Sequence, residues 1–280
     1  MHGDIKKFNF KPRTLDDSSV RDGLEAVSVL NEKEPYFLVG GIASQSYLPT
    51  SCRRPTSDID FALVRPLYKS DFREFVAPVQ EFLQDKGYET ELKTRNRSRS
   101  YALNFTNKDG ETLCLEFARR SEENFNKNRE MLERELDYSR KKIVEGRDSV
   151  YSVACPEDIV VPKLLRLINS LERNPEFMNY VPPKLQSLSE EAVKERIDMI
   201  NEFREEAVSN PGDPYLAGKL RFISDIYDIR ILSELTGFNE SYFSRSEKDW
   251  RDIAEKPELR NKIFEVSLPL VFNRSLEAIR

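Results

Sequence analysis

The stretch Ser57-Asp58-Ile59-Asp60-Phe61 decides the fold of this chain. It is typical of a strand, in which successive side chains alternate between two faces, so Asp58 and Asp60 share one face. Two carboxylates this close repel each other unless a cation holds them together. Because Mg2+ is often held by one or two carboxylates and substrate phosphates, the stretch predicts a metal site. A solvated strand edge is the alternative.

Two glycines precede this strand. Tyr36–Val39 is typical of a buried strand, and it ends at Gly40 and Gly41 before a helix-like stretch. Glycines at such a turn let backbone amides approach a phosphate, although they are also common in ordinary turns. A phosphate cradle followed closely by a carboxylate pair predicts phosphoryl or nucleotidyl transfer.

A third carboxylate lies on a later predicted strand. In Thr112–Ala118 the apolar Leu113 and Leu115 share one face, and Glu116 points to the other. On a strand next to the aspartates, Glu116 would complete a two-metal site or take a proton from an acceptor hydroxyl. A solvated strand residue is the alternative.

Composition narrows the function classes. The chain has 280 residues and a formal net charge of −5, so contact with nucleic acid would have to come from local basic patches. No apolar run is long enough for a membrane span, and the first residues lack the apolar core of a signal peptide. The single histidine, His2, argues against Ser-His or Cys-His catalysis and against histidine zinc sites. Three widely spaced cysteines predict a reducing cytoplasm; they are Cys52, Cys114 and Cys155.

The pattern of apolar residues changes along the chain. A mixed α/β domain is expected over residues 1–148, and a helical C-terminal domain over 149–280. Strands are predicted at Tyr36–Val39, Asp58–Val64, Tyr88–Lys93, Tyr101–Thr106 and Thr112–Ala118. Helices are predicted at Leu15–Leu30, Asp71–Lys86, Glu122–Val144, Pro156–Leu171, Ser189–Val208 and Pro214–Leu235, and less clearly between Glu247 and Ile279.

Four motifs in this order resemble the AbiEii-type nucleotidyltransferases. They are Gly40-Gly41, Asp58-x-Asp60, Pro156-Glu157-Asp158-Ile159-Val160-Val161-Pro162-Lys163-Leu164 and Ser224-Asp225-Ile226-Tyr227-Asp228-Ile229. The family belongs to the DNA polymerase β-like superfamily and includes toxins of toxin–antitoxin and phage-abortive systems. The resemblance runs from about Tyr36 to Leu235. It implies a mixed sheet with flanking helices and an all-helical C-terminal half.

The resemblance also implies roles for the matching positions. By this resemblance, Gly40 and Gly41 would contact the nucleotide phosphates, and Asp58, Asp60 and Glu116 would bind metal. Lys163 would contact phosphate or substrate, and Asp225 with Asp228 would form the fourth motif. The implied cofactor is Mg2+ in a two-metal site, and the implied substrate is an NTP. The implied acceptor is an RNA 3′ end, notably tRNA, or a protein hydroxyl. Growth inhibition and a cognate antitoxin are expected.

The chain departs from the family at two positions. The residue after the glycines is often Ser or Thr but is Ile42 here, so a hydroxyl contact to phosphate would have to come from Ser44 or Ser46. The third carboxylate is commonly Asp but is Glu116 here. Neither change removes metal binding.

Each helical motif also has an interpretation that involves no functional site. Lys163 lies among apolar residues, so its side chain either pairs with phosphate or extends to solvent. Asp225 and Asp228 share a helix face with Arg221, so a surface ion pair is the alternative to a site.

Two basic clusters are candidates for substrate contact. Arg53 and Arg54 lie in the loop before the aspartate pair and are expected near the site. Alternating arginines before Tyr101 suit RNA phosphates and bases, with a solvated loop as the alternative; they are Arg95, Arg97 and Arg99.

The sequence thus predicts Mg2+-dependent transfer of a nucleoside monophosphate with release of pyrophosphate. Two other classes stay open. One is an enzyme that adenylylates a small hydroxylated molecule, which the acidic net charge suits if that molecule is cationic. The other is a non-catalytic nucleotide-binding module, for which Ile42 is the best support.

Overall fold

The computed structural model describes residues 11–30, 34–94, 100–180 and 189–253. Those residues form seven strands and eight α-helices. In chain order they are α1 (Ser18–Ser28), β1 (Tyr36–Val39), α2 (Gly40–Gln45), β2 (Asp58–Leu63), α3 (Lys69–Asp85), β3 (Glu89–Lys93), β4 (Ser100–Thr106), β5 (Thr112–Ala118), α4 (Glu122–Tyr138), β6 (Arg140–Ile143), β7 (Val150–Val153), α5 (Pro156–Arg173), α6 (Glu190–Ser209), α7 (Pro214–Thr236) and α8 (Glu240–Ile253). None of these helices has the length and apolar character needed to cross a membrane.

All seven strands belong to one mixed sheet. Its strand order is β3-β4-β5-β2-β1-β7-β6. The central strand β2 is antiparallel to β1 and parallel to β5. The predicted mixed α/β fold is therefore confirmed, and so is the expectation that the aspartate strand lies beside the Glu116 strand.

An aromatic layer holds α3 against one face of the sheet. Phe61 of β2 stacks on Phe117 of β5, with ring centroids 5.2 Å apart. Phe72 and Phe75 of α3 lie 5.9 and 5.4 Å from the Phe117 ring. Because Phe61 directly follows Asp60, strand alternation turns the Asp60 carboxylate toward the opposite face of the sheet.

The region after α4 differs from the prediction. The helix predicted to run from Glu122 to Val144 ends at Tyr138, and Ser139 has an extended backbone. The next residues form β6, which pairs antiparallel with β7, a strand that was not predicted. Pairing with β7, which itself pairs with the distant β1, overrides local helix preference here.

The described residues divide into two compact units. Residues 11–46 and 55–155 form one unit, which contains the whole sheet. Residues 47–54 and 156–253 form the other, in which α7 contacts α5 and α6. The predicted division at residue 148 stays a prediction, and the sheet itself extends to Val153.

Candidate active site

Two parallel strands bring the three predicted carboxylates together. The register of β2 and β5 pairs Asp60 with Glu116 and Asp58 with Cys114. The side chains of Asp58, Asp60 and Glu116 therefore share one face of the sheet. One carboxylate oxygen of each residue lies within 4.8 Å of the other two, and all three side chains are partly exposed.

This group has the right chemistry for a hard divalent cation. Carboxylate oxygens are the ligands that Mg2+ and Mn2+ prefer. Oxygens bound to one Mg2+ at about 2.1 Å are at most about 4.2 Å apart, so small side-chain rotations would bring the three carboxylates to a common ion. The residues present thus fit the metal that the sequence predicts.

The glycine pair lies directly beside the carboxylates. Gly40 has a φ of +78°, and a Cβ built there would lie 2.3 Å from Oδ2 of Asp60. A larger residue would therefore displace Asp60 and also strain the backbone. A Cβ at Gly41 would lie 3.0 Å from the hydroxyl oxygen of Thr56. The two glycines thus leave room for the side chains around the candidate metal site.

Hydroxyl groups orient two of the carboxylates. Thr56 donates from Oγ1 to Oδ1 of Asp58 at 3.1 Å. Ser100, the first residue of β4, donates from Oγ to Oε2 of Glu116 at 3.3 Å. A hydroxyl donor fixes the orientation of a carboxylate while the carboxylate keeps its negative charge.

Helix α2 packs into the core through Ile42, the residue that departs from the family pattern. Ile42 is 1% exposed, and Ser44 is buried as well. Ser44 Oγ donates to the Gly40 carbonyl at 3.1 Å, and Ser46 Oγ donates to the Ile42 carbonyl at 3.1 Å. A contact from either serine to a nucleotide stays a prediction.

A second charged cluster is buried in the helical unit. Lys163 Nζ of α5 donates to Asp228 at 2.7 Å and to Asp225 at 3.4 Å. Arg54 binds Asp228 through Nε at 2.7 Å and Nη2 at 2.5 Å. Arg166 binds Asp225 through Nε at 2.9 Å and Nη2 at 2.8 Å. We call these five residues the helical ion cluster.

The burial of this cluster contradicts both alternative interpretations of the helical motifs. Lys163 is 3% exposed, so its side chain does not extend to solvent. Asp225 and Asp228 are 3% and 1% exposed, so they do not form a surface ion pair with Arg221, which is itself exposed. Whether Lys163 and Asp225 contact a nucleotide stays a prediction.

The cluster keeps the carboxylate of Asp225 ionised. Burial alone would raise the pKa of Asp225, but the positive charges of Arg166, Lys163 and Arg54 outweigh it and lower the pKa to about 2. At neutral pH the buried Asp225 is therefore an anion that its neighbours neutralise.

Sequence reasoning placed Arg54 near the site without its partner and missed Arg166. Arg53 was predicted to contact the substrate, as Arg54 was, and its Nε donates to the Leu48 carbonyl at 3.0 Å. Its neighbour Arg54 instead makes the paired contact with Asp228. Arg166 had a signal in the sequence, because Lys163 and Arg166 repeat on α5 the three-residue spacing of the aspartates on α7.

The arginine-rich stretch before β4 is not among the described residues. Arg95, Arg97 and Arg99 lie outside them, so their proposed contact with RNA stays a prediction. The strand that follows is the one expected, since Ala102 of β4 pairs with Glu116 of β5.

Comparisons with known proteins give matches in structure alone. No family model matches the sequence, and no curated protein matches it. An antigenic nucleotidyltransferase-like protein from Paracoccidioides brasiliensis is similar at 12% identity and a TM-score of 0.39, covering 94% of this chain and 100% of that one. MenT4, a nucleotidyltransferase toxin from Mycobacterium tuberculosis H37Rv, is similar at 15% identity and a TM-score of 0.38, covering 88% and 85%.

A third structure is more distant. Terminal uridylyl transferase 4 from Trypanosoma brucei with bound GTP is similar at 12% identity and a TM-score of 0.24, covering 80% of this chain and 68% of that one. At these identities and TM-scores, the chemistry of the site has to be judged from its own residues.

Proposed function

We propose that this chain is a nucleotidyltransferase of the AbiEii type, which uses Mg2+ to move a nucleoside monophosphate from an NTP to an acceptor hydroxyl. The observation that carries the proposal is the group of Asp58, Asp60 and Glu116, with oxygens within 4.8 Å of one another on two parallel strands. The close approach of Gly40 to Asp60 supports the proposal, because it places the glycine motif directly beside the carboxylate motif.

The reaction makes one bond and breaks one. The acceptor oxygen bonds to the α-phosphorus of the NTP, and the bond from that phosphorus to the oxygen bridging to the β-phosphorus breaks. Pyrophosphate leaves with the bonding electron pair. Divalent cations, when bound, offset the charge of the phosphates and of the attacking and leaving oxygens.

The carboxylates divide the remaining work. Asp58 and Asp60 would hold the cations, and Glu116 would either complete the ligand set or accept the proton of the acceptor hydroxyl. A pH–rate profile of Glu116→Gln separates these two roles, because loss of a general base removes an ionisation from the profile.

The helical ion cluster has a supporting role in this proposal. Lys163, Asp225 and Asp228 stay predicted site residues because of the motif resemblance. The side chain of Arg166 is 46% exposed while it binds the buried Asp225. Among these charged groups, Arg166 is therefore the one that a phosphate from solvent would meet first.

The acceptor and the partner follow from the family resemblance. We propose an RNA 3′ end, notably that of tRNA, or a protein hydroxyl as the acceptor. Transfer to either would inhibit growth, and a cognate antitoxin protein would restrain it. A cytoplasmic location accords with such acceptors.

The test is a labelling experiment. The protein is incubated with each α-labelled NTP, Mg2+ and total RNA, beside the variant Asp58→Asn/Asp60→Asn. Asp109→Asn, an exposed carboxylate in the β4–β5 turn, is the matched control. Label in RNA or protein that depends on Asp58 and Asp60 supports the proposal.

Other outcomes select the alternatives. Label on a small molecule supports the small-molecule enzyme, and nucleotide binding without turnover supports the non-catalytic module. Transfer by the double variant at the wild-type rate contradicts the proposed site.

A further inference from the structure

We propose that Thr56 is a positioning residue for Asp58, an inference that rests on the function proposed above. Thr56 lies two residues before Asp58, and its hydroxyl donates to Oδ1 of that carboxylate at 3.1 Å. A donor on one carboxylate oxygen fixes the plane of the group and so the direction of its lone pairs. The hydroxyl of Thr56 would thereby set how Asp58 meets a cation.

Thr56 is itself held on two sides. Its backbone exchanges both hydrogen bonds with Arg13, from Arg13 N to Thr56 O at 2.7 Å and from Thr56 N to Arg13 O at 2.8 Å. Its side chain is buried against Gly41, where an added Cβ would lie 3.0 Å from Oγ1 and 3.1 Å from Cβ of Thr56. Packing and backbone pairing together restrict the orientation of the hydroxyl.

The segment that pairs with Thr56 is anchored in turn. The backbone N–H of Leu15 donates to Oε1 of Gln45, in α2, at 2.7 Å. The guanidinium of Arg13 pairs with Glu111, which directly precedes β5. The chain before α1 therefore connects three parts of the sheet unit around Asp58: the α2 turn, the β4–β5 hairpin and the start of β2.

The two aspartates are thus positioned by different means. Asp60 depends on the space that Gly40 leaves beside its carboxylate. Asp58 depends on a hydrogen bond from Thr56. Loss of a group that orients a metal ligand typically costs about 10- to 100-fold in metal affinity or activity. Thr56 is therefore expected to control the metal dependence of the enzyme through Asp58.

The test compares Thr56→Val with Thr56→Ser. Valine keeps the branched shape and removes the donor, whereas serine keeps the donor. Binding of Mn2+ is measured by electron paramagnetic resonance in the absence of nucleotide, and NTP transfer is measured against Mn2+ concentration. We expect Thr56→Val to weaken Mn2+ binding by about tenfold or more and to raise the half-saturating Mn2+ concentration in parallel. Thr56→Ser is expected to stay close to wild type in both.

A second substitution guards against a folding defect. Thr56→Ala also lacks the hydroxyl but, unlike valine, reduces the packing against Gly41. Loss of Mn2+ affinity in both variants, with serine unaffected, supports the inference. Wild-type Mn2+ affinity in either folded variant overturns it while leaving the proposed function intact. A wild-type protein that neither binds Mn2+ nor transfers nucleotide overturns both.

Discussion

Asp58 on the sheet and the two aspartates of α7 accept hydrogen bonds from different kinds of donor. On the sheet, Asp58 accepts a hydrogen bond from the hydroxyl of Thr56. On α7, Asp225 and Asp228 accept theirs from guanidinium and ammonium groups. A hydroxyl orients a carboxylate and leaves its charge in place, whereas arginine and lysine orient and neutralise it.

Burial differs in the same sense. The sheet carboxylates are partly exposed, and their oxygens lie within 4.8 Å of one another. The α7 carboxylates are almost fully buried beside their cations. Crowded like charges open to solvent suit an incoming cation, whereas buried matched charges suit a fixed structure. Substitutions in the helical ion cluster should therefore cost more stability than substitutions of the sheet carboxylates.

The largest effect is expected from Asp60→Asn. Removing one ligand charge from a metal site costs several kcal/mol of transition-state stabilisation, which corresponds to a loss of about 10³-fold in transfer rate. The melting temperature should hold or rise, because one of three crowded negative charges is gone. Transfer assays and thermal unfolding check both statements. A folded variant with full activity would remove Asp60 from the site.

Asp228→Asn should cost stability, which Asp60→Asn should not. It removes the buried partner that Arg54 binds and leaves Lys163 with Asp225 alone among the described residues, at 3.4 Å. Breaking a buried ion pair typically costs about 3–5 kcal/mol. Glu133→Gln is the matched control, since Glu133 pairs with Arg129 with its side chain 47% exposed. A surface pair of that kind is worth about 0–1 kcal/mol. Urea unfolding of both variants measures the difference, and equal losses would contradict the contrast drawn here.

Gly40→Ala tests whether the space beside Asp60 matters. The added Cβ would lie 2.3 Å from Oδ2 of Asp60, and displacing a catalytic group by about 1 Å can cost about 10²-fold in rate. Gly110→Ala is the matched control, because Gly110 has a similar φ of +76° with nothing within 4 Å. Both variants should lose about 1–2 kcal/mol of stability to backbone strain. Only Gly40→Ala should lose activity. Equal activity in the two variants would mean that Gly40 is needed only for its backbone conformation and not for the space beside Asp60.

The smallest expected effect is the contribution of Asp225 to the free energy of unfolding, which depends on pH in the acid range. The pKa of Asp225 is lowered from 3.8 to about 2 in the folded protein. Its ionised form thus stabilises the fold above the unfolded pKa, and this contribution is lost as the pH falls from about 4 to about 2. Its size is on the order of 2 kcal/mol. Asp225→Asn should show a shallower fall in unfolding free energy over that window, and an identical slope would contradict the assignment.

Local patterns predicted most of the sheet. The bounds of β1 and β5 agree with the prediction, because each is encoded locally: β1 as a short apolar run that ends at glycines, and β5 as an alternating stretch after a turn. The strands β6 and β7 were missed because their evidence is not local. Arg140–Ile143 is short and cationic, and it becomes a strand by pairing with residues of β7.

The site was predictable to the extent that it follows from strand alternation. Alternation alone puts Asp58, Asp60 and Glu116 on sheet faces, and the resemblance gave them a common role. Arg54 could not be assigned in this way, since its partner Asp228 lies 174 residues further along the chain. No periodicity in the sequence connects two such positions.

The most direct measurement is the location of a bound cation. Crystals of the protein soaked with Mn2+ and a non-hydrolysable NTP are examined by anomalous diffraction, with Asp60→Asn as the control. A metal group formed by Asp58, Asp60 and Glu116 requires a manganese peak in contact with their carboxylate oxygens, and this peak should weaken or vanish in the variant. Manganese bound elsewhere, or the same peak in Asp60→Asn, would contradict the assignment of these three carboxylates as the metal site.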